Sequence, residues 1–219
     1  MKICFYAGHH YWGGLGNCGG ARTIILSTKT LRDMGHDAEI VAYSDKFTWF
    51  KHRPVIRKIP NDTEALIACS ISDVAGISVF GQKEAPKSKN FFWMRGWETW
   101  QMSEEHIVNR LKLGQHNIVN STWLKRKLEG LGIASDLVWQ GVDIDFWYDP
   151  HFVRQENKKI RIGCLFNKHH KTKRWDLFLK LQKYLGYDRY EYWGFGNDKC
   201  RDKINCYLHQ PKPEVLRMF

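Results

Sequence analysis

No stretch of this sequence approaches the roughly 18 consecutive apolar residues that a membrane-spanning helix needs. Paired cysteines are missing too. Six cysteines, at 4, 18, 69, 164, 200 and 206, form no C-x-x-C pair and no zinc-ligand spacing, so no metal site is expected. The N-terminus carries one cation, Lys2, ahead of a short apolar run, which is not the pattern of a signal peptide. Unpaired thiols without a secretion signal lead to the expectation of a reduced, cytoplasmic protein. RNA-recognition, helix-turn-helix and zinc-finger patterns are also absent, which argues against nucleic acid as a partner.

An excess of acidic residues is the last thing missing. The net charge is +11, and it is unevenly placed: residues 151–219 hold 16 Lys and Arg against 7 Asp and Glu, a net of +9. Such a surplus suits a nucleotide diphosphate, a nucleic acid or peripheral contact with an anionic membrane. A solvated basic face is the plain alternative.

What is present is a glycine-rich stretch, Trp12-Gly13-Gly14-Leu15-Gly16-Asn17-Cys18-Gly19-Gly20. It follows a strand-like run, Lys2 to Ala7, and precedes a helical pattern from Ala21 to Met34 that Gly35 should close. A helix N-terminus behind a glycine loop offers unpaired N–H groups and a partial positive charge, a cradle for phosphate. Gly14 to Gly19 also fits G-x-G-x-x-G. For a dinucleotide site, however, the loop starts too far from the strand, and the strand Ala38–Tyr43 ends without the required acid, Asp45 lying too far on. A loop that merely connects remains the simplest alternative.

Beyond residue 62 the pattern predicts a helix over 63–70 and a strand over 73–80. Strands over 90–94, 116–120 and 137–139 alternate with helices over 103–113 and 122–131. Strands alternating with amphipathic helices predict a parallel α/β sheet, with ligands at the C-terminal strand ends. Polar residues around Asp149-Pro150 mark a boundary, giving domains 1–148 and 149–219. The second begins again with a strand over 159–166, a Lys- and His-rich loop, a helix over 173–185 and strands over 190–193 and 206–209. A helix then opens near Pro213, so this domain reads as an incomplete α/β unit.

With these pieces placed, the chain resembles the family 4 glycosyltransferases of GT-B fold. Gly19-Gly20-Ala21-Arg22 with the later Gly35-His36 turn, Val119-Asn120-Ser121, Gly141-Val142-Asp143 with Phe146, and Lys173-Arg174-Trp175-Asp176 followed by Gly194-Phe195-Gly196 carry the resemblance. It implies two Rossmann-like domains, a nucleotide-sugar donor as substrate, no cofactor or metal, and transfer to a glycan, lipid or protein-linked acceptor with retention of configuration. It also implies that Gly19, Gly20, Lys168, Lys173 and Arg174 meet the donor diphosphate. The chain departs from the family pattern in three respects: Lys168 stands where an arginine is usual, Arg174 where a glycine is usual, and the two spaced glutamates would lie beyond Phe219.

Other residues are weighed singly. His9 and His10 follow the first strand, and Arg95, Trp97 and Glu98 follow another, so all five are candidates for the acceptor. The pair His169-His170 reads equally as solvated or as a phosphate contact. Asp143-Ile144-Asp145 spells the metal–diphosphate signature of a different fold, but it sits in the connection between domains and reads as structural. A non-catalytic module that holds nucleic acid or an anionic surface through the basic final third is the alternative to an enzyme.

Overall fold

Strands buried on both faces have little use for alternating polarity, and the first strand follows that rule: β1 (Lys2–Tyr6) is buried along all but its first residue. The computed structural model describes residues 1–8, 14–142, 144–147, 159–167, 173–196, 198–209, 211 and 215. They fall into two compact units, Met1–Gly141 and Val142–Phe219.

In the first unit β1 pairs with β3 (Asp37–Val41) on one side and β5 (Ala65–Ala68) on the other. β6 (Lys89–Met94), β7 (His116–Val119) and β8 (Asp136–Leu137) extend the sheet, all parallel, in the order β3-β1-β5-β6-β7-β8. A single bridge from Val41 to Ile56 marks the outer side of β3. The order reverses between β1 and β5, and such a switch point opens a crevice at the C-terminal strand ends.

Successive side chains of β1 point to opposite faces. Ile3 and Phe5 join Ile24 and Ile25 of α1 (Gly19–Asp33) in one core. Cys4 and Tyr6 join a second core with Ile71 and Val74 of α2 (Ile71–Gly76), Ile107 and Leu111 of α4 (Glu104–Leu111), and Leu124 and Leu128 of α5 (Thr122–Gly130). Burying each such side chain is worth about 1.5–3 kcal/mol. Gly35 and Gly132 end α1 and α5 in the left-handed region, at φ 87° and 69°. His36 then donates to the Leu31 carbonyl and Ile133 to the Leu128 carbonyl, closing both helices.

Two expectations are reversed here. Residues 65–68 form β5 rather than a helix, and residues 71–81 form α2 and a π-helical turn (Ile77–Gly81) rather than a strand; α3 (Gln82–Glu84) follows directly. Ser70 decides the matter: its hydroxyl accepts from the Asp73 N–H at 3.3 Å and starts the helix there.

In the second unit α6 is the short turn Ile144–Trp147. β9 (Ile160–Leu165), β10 (Tyr190–Gly196) and β11 (Cys206–His209) form a parallel sheet of order β11-β10-β9 beside α7 (Trp175–Leu185). Gly194 and Gly196 belong to β10 itself, not to a loop after it. A Cβ on Gly196 would overlap the Phe166 carbonyl oxygen, so glycine there serves close packing. The helix expected near Pro213 lies outside the described residues.

Candidate functional site

The glycine-rich stretch divides into two parts with different work. Gly14 and Leu15 form β2, a short arm that pairs in parallel with β4 (Ser44–Asp45). A Cβ on Gly14 would overlap the Ser44 hydroxyl and carbonyl, so this glycine is demanded by packing rather than by a ligand. Asn17 and Thr48 fasten the next turn: the Asn17 amide donates to the Thr48 hydroxyl at 2.9 Å, and the Thr48 N–H donates to the Asn17 side-chain oxygen at 2.8 Å. The tight phosphate turn of a dinucleotide site is therefore not what this loop builds.

Gly19 and Gly20 are different. They are the first two residues of α1, Gly19 is exposed, and a Cβ on it would meet nothing within 4 Å. Their N–H groups have no acceptor inside the helix. The surrounding side chains fix the peptide planes of this turn. The Thr23 hydroxyl donates to the Gly19 carbonyl at 2.9 Å, and the Gln140 amide donates to that hydroxyl at 2.8 Å. Cys18 caps the helix, its sulfur accepting from the Ala21 N–H at 3.3 Å. Arg95 donates from Nη1 to the Gly20 carbonyl at 2.8 Å and from Nη2 to the Cys69 carbonyl at 2.6 Å, with its guanidinium 5.3 Å from the centre of the Trp93 ring. Gly20, Cys69 and Arg95 follow β1, β5 and β6, so this turn stands at the switch point.

Arg95, Trp97 and Glu98 come together on the segment after β6, but each already has partners. Glu98 is 8% exposed, and its carboxylate accepts from the Ile71 N–H at the start of α2 at 3.0 Å. Burial raises its pKa, while that N–H and Arg95 pull it back down. The Trp97 ring packs against the core with the Lys127 ammonium 4.2 Å from its centre. Lys127 in turn holds Glu104 at 2.8 Å and keeps that carboxyl below its usual range. Burial pushes the Cys69 thiol far up, which leaves it an inert neighbour of the site.

In the second unit Lys173 and Arg174 are exposed at the start of α7. Arg174 adopts φ 52°, ψ 39°, a left-handed conformation at the position before the helix. Its side chain reaches Asp176 at 3.4 Å. His9, His10, Lys168, His169, His170 and Asp143 lie outside the described residues, and so does the side chain of Asp145. Among the described residues no group of three or more His, Cys, Asp or Glu could hold a metal ion, and no helix is long and apolar enough to cross a membrane.

Sequence reasoning singled out the glycine pair and Arg95, but not the other side chains that hold this turn. Thr23, Gln140 and Cys18 carry no motif, and a cysteine cap has no sequence signature of the kind that serine and aspartate have.

Comparison with protein-family models gives no match, and comparison with curated sequences gives none. Solved structures do match. One is an α-glucosyltransferase in complex with UDP-glucose and DNA containing an abasic site, at 13% identity and TM-score 0.53, over 90% of this chain and 57% of that one. Another is an α-glucosyltransferase in complex with UDP and a 13-mer DNA containing an HMU base, at 14% identity and TM-score 0.54, over 100% of this chain and 59% of that one. The chain thus spans less than two thirds of the length of these structures. The fold is a Rossmann-like α/β fold of the GT-B glycosyltransferase type.

Proposed function

We propose that the chain is a glycosyltransferase that uses a nucleotide-sugar donor, with family 4 as its closest affiliation and retention of anomeric configuration as its outcome. The reading rests chiefly on the likeness, over 90–100% of the chain, to glucosyltransferases seen with UDP or UDP-glucose. The exposed, side-chain-oriented turn at Gly19-Gly20 supports it locally. Breaking a sugar–phosphate bond builds negative charge on the departing diphosphate, and preorganised N–H groups and cations stabilise that charge. Gly19 and Gly20 supply the former; Lys173, Arg174 and Lys168 supply the latter. No metal or cofactor enters the reaction in this reading. His9, His10 and Trp97 are assigned to the acceptor, with Arg95 and Glu98 supporting the site from behind.

A thermal-shift series with UDP, GDP, ADP and their sugar conjugates tests the donor. A nucleotide at 100 times its dissociation constant stabilises by about 2.7 kcal/mol. A uridine-selective shift that survives moderate salt is expected, and Lys173→Ala should reduce it much more than it lowers the unliganded melting temperature. Silence with every nucleotide would end the donor reading.

DNA is a second reading for the acceptor, beside a glycan, a lipid or a protein-linked sugar. Both neighbours are complexes with DNA, and residues 151–219 carry a net charge of +9. Labelled glucose appearing on an HMU-containing duplex would establish it. A DNA affinity with little salt dependence would count against a phosphate-tracking basic face. Anionic vesicles in the same assay separate membrane contact from DNA.

A further inference from the structure

We propose that Arg95 is a positioning residue that sets the first turn of α1 for an anion, an inference that rests on the donor reading above. The guanidinium is a planar fork, and here its two outer nitrogens go to two carbonyls far apart in sequence: Gly20 at 2.8 Å and Cys69 at 2.6 Å. The Gly20 carbonyl belongs to the same peptide group as the Ala21 N–H, which is held by the Cys18 sulfur. That peptide is therefore pinned at both ends. The preceding peptide is pinned by Thr23 on the Gly19 carbonyl. The peptide before that, which carries the Gly19 N–H, is held by the Arg22 N–H on the Cys18 carbonyl at 3.0 Å. With three successive planes fixed, the third of them by Arg95, the N–H groups of Gly19 and Gly20 are aimed before any ligand arrives, and they need not be ordered at its cost.

The second anchor ties this turn to the structure behind it. Cys69 follows β5, the strand beside β1 at the switch point, so Arg95 ties the first turn of α1 to the end of that strand. Its third donor, Nε, is buried and has no partner among the described residues. The ion pairs among those residues include none to Arg95, although the buried Glu98 carboxylate lies near enough to feel its charge. A lysine would keep that charge but could not span both carbonyls in one plane.

The test uses the full chain with UDP as probe, comparing wild type, Arg95→Lys and Arg95→Met. The dissociation constant is measured by calorimetry, and amide hydrogen exchange of residues 18–24 is measured without ligand. The expected result is that wild type binds UDP, Arg95→Lys weakens it at least tenfold, and exchange at 18–24 quickens at least tenfold while β1 and β5 stay protected. A lysine variant that binds UDP within twofold of wild type overturns the proposal and leaves the donor reading standing. If wild type binds no UDP, the donor reading falls, and the exchange data alone decide whether Arg95 orders the turn; unchanged exchange then overturns it. Should Arg95→Met fail to fold, the lysine variant carries both measurements.

Discussion

Glycine means different things five residues apart in this chain. Gly14 is buried, and a methyl group there would collide with backbone as well as side chain of Ser44. Gly14→Ala should therefore destabilise by about 1–3 kcal/mol, the usual range for overpacking a close contact. Gly19 faces open space inside a helix, so Gly19→Ala should leave stability unchanged or raise it by up to about 1 kcal/mol. The same methyl would stand where the proposed diphosphate lies, and UDP affinity should fall. Urea denaturation beside a UDP titration separates the two; equal stability losses would remove the distinction drawn between these glycines. Arg174 makes the converse case. It is the non-glycine residue with positive φ among those described, at the position where the resembled family has glycine. A left-handed conformation costs a residue with a Cβ about 1–2 kcal/mol. Arg174→Gly should recover part of this, against the extra entropy of a glycine in the unfolded chain, and raise stability by about 0.5–1 kcal/mol. Loss of the charge should weaken UDP binding at the same time. A large loss of stability would show that the arginine side chain, not the backbone, governs this turn.

At the scale of single elements, the N-terminus of α2 is the most heavily supported. The Ser70 hydroxyl accepts from Asp73 N–H and donates to its carboxylate at 2.7 Å, while Glu98 takes the Ile71 N–H. Glu98 is held above its ordinary value of 4.5 chiefly by burial. The folded state then binds its proton more tightly than the unfolded state does. Its contribution is fully present below pH 4.5 and is lost as pH rises through the raised folded value. Glu98→Gln keeps an oxygen for Ile71 without the buried charge. Relative to wild type it should gain stability as pH rises from 4 to 7, read from urea midpoints across that range. A difference independent of pH would mean that the carboxyl titrates normally. This cap also explains what the sequence could and could not convey. The strands with β-branched and aromatic residues, such as 90–94 and 116–119, were legible, and so were helices with serine caps ahead of regular apolar spacing, at Ser103 and Ser121. Ala65-Leu66-Ile67-Ala68 is alanine-rich and short, which suggests a helix, yet it is buried between β1 and β6, where any compact apolar run suffices. Val74, Ile77 and Val79 suggest a strand, but tertiary packing of α2 and the turn after it outweighs their modest propensity cost. Long-range fastenings, Asn17 to Thr48 or Arg95 to Cys69, leave no local pattern and could not have been found.

On the scale of the whole molecule, the two units differ in how much they bury. The first has a core on each face of a six-stranded sheet, reaching from Ile3 to Ile133. In the second, the buried apolar side chains among the described residues are Phe178 and Tyr192, packed edge to face with ring centres 5.8 Å apart. Polar fastenings assist them: Gln182 donates to the Lys203 carbonyl at 2.8 Å, and Asn205 accepts from the Tyr192 N–H at 2.6 Å. On the outer side of α7, Leu177, Leu181 and Tyr184 stay exposed, Tyr184 at 86%. A unit of this size, below about 80 residues, rarely draws more than 3–5 kcal/mol from its own core, and this one buries few large side chains. Its high positive charge adds self-repulsion that salt would screen. The second unit should therefore open first. In hydrogen exchange under rising urea, amides of β9 and β10 should lose protection at lower denaturant than those of β1, β5 and β6, and the gap should narrow as salt is raised. UDP, if it is held by Lys173 and Arg174, should shift the earlier transition more than the later one. Coincident loss of protection throughout the chain would instead mean that the two units fold as one cooperative body, and that the core of the first stabilises the second.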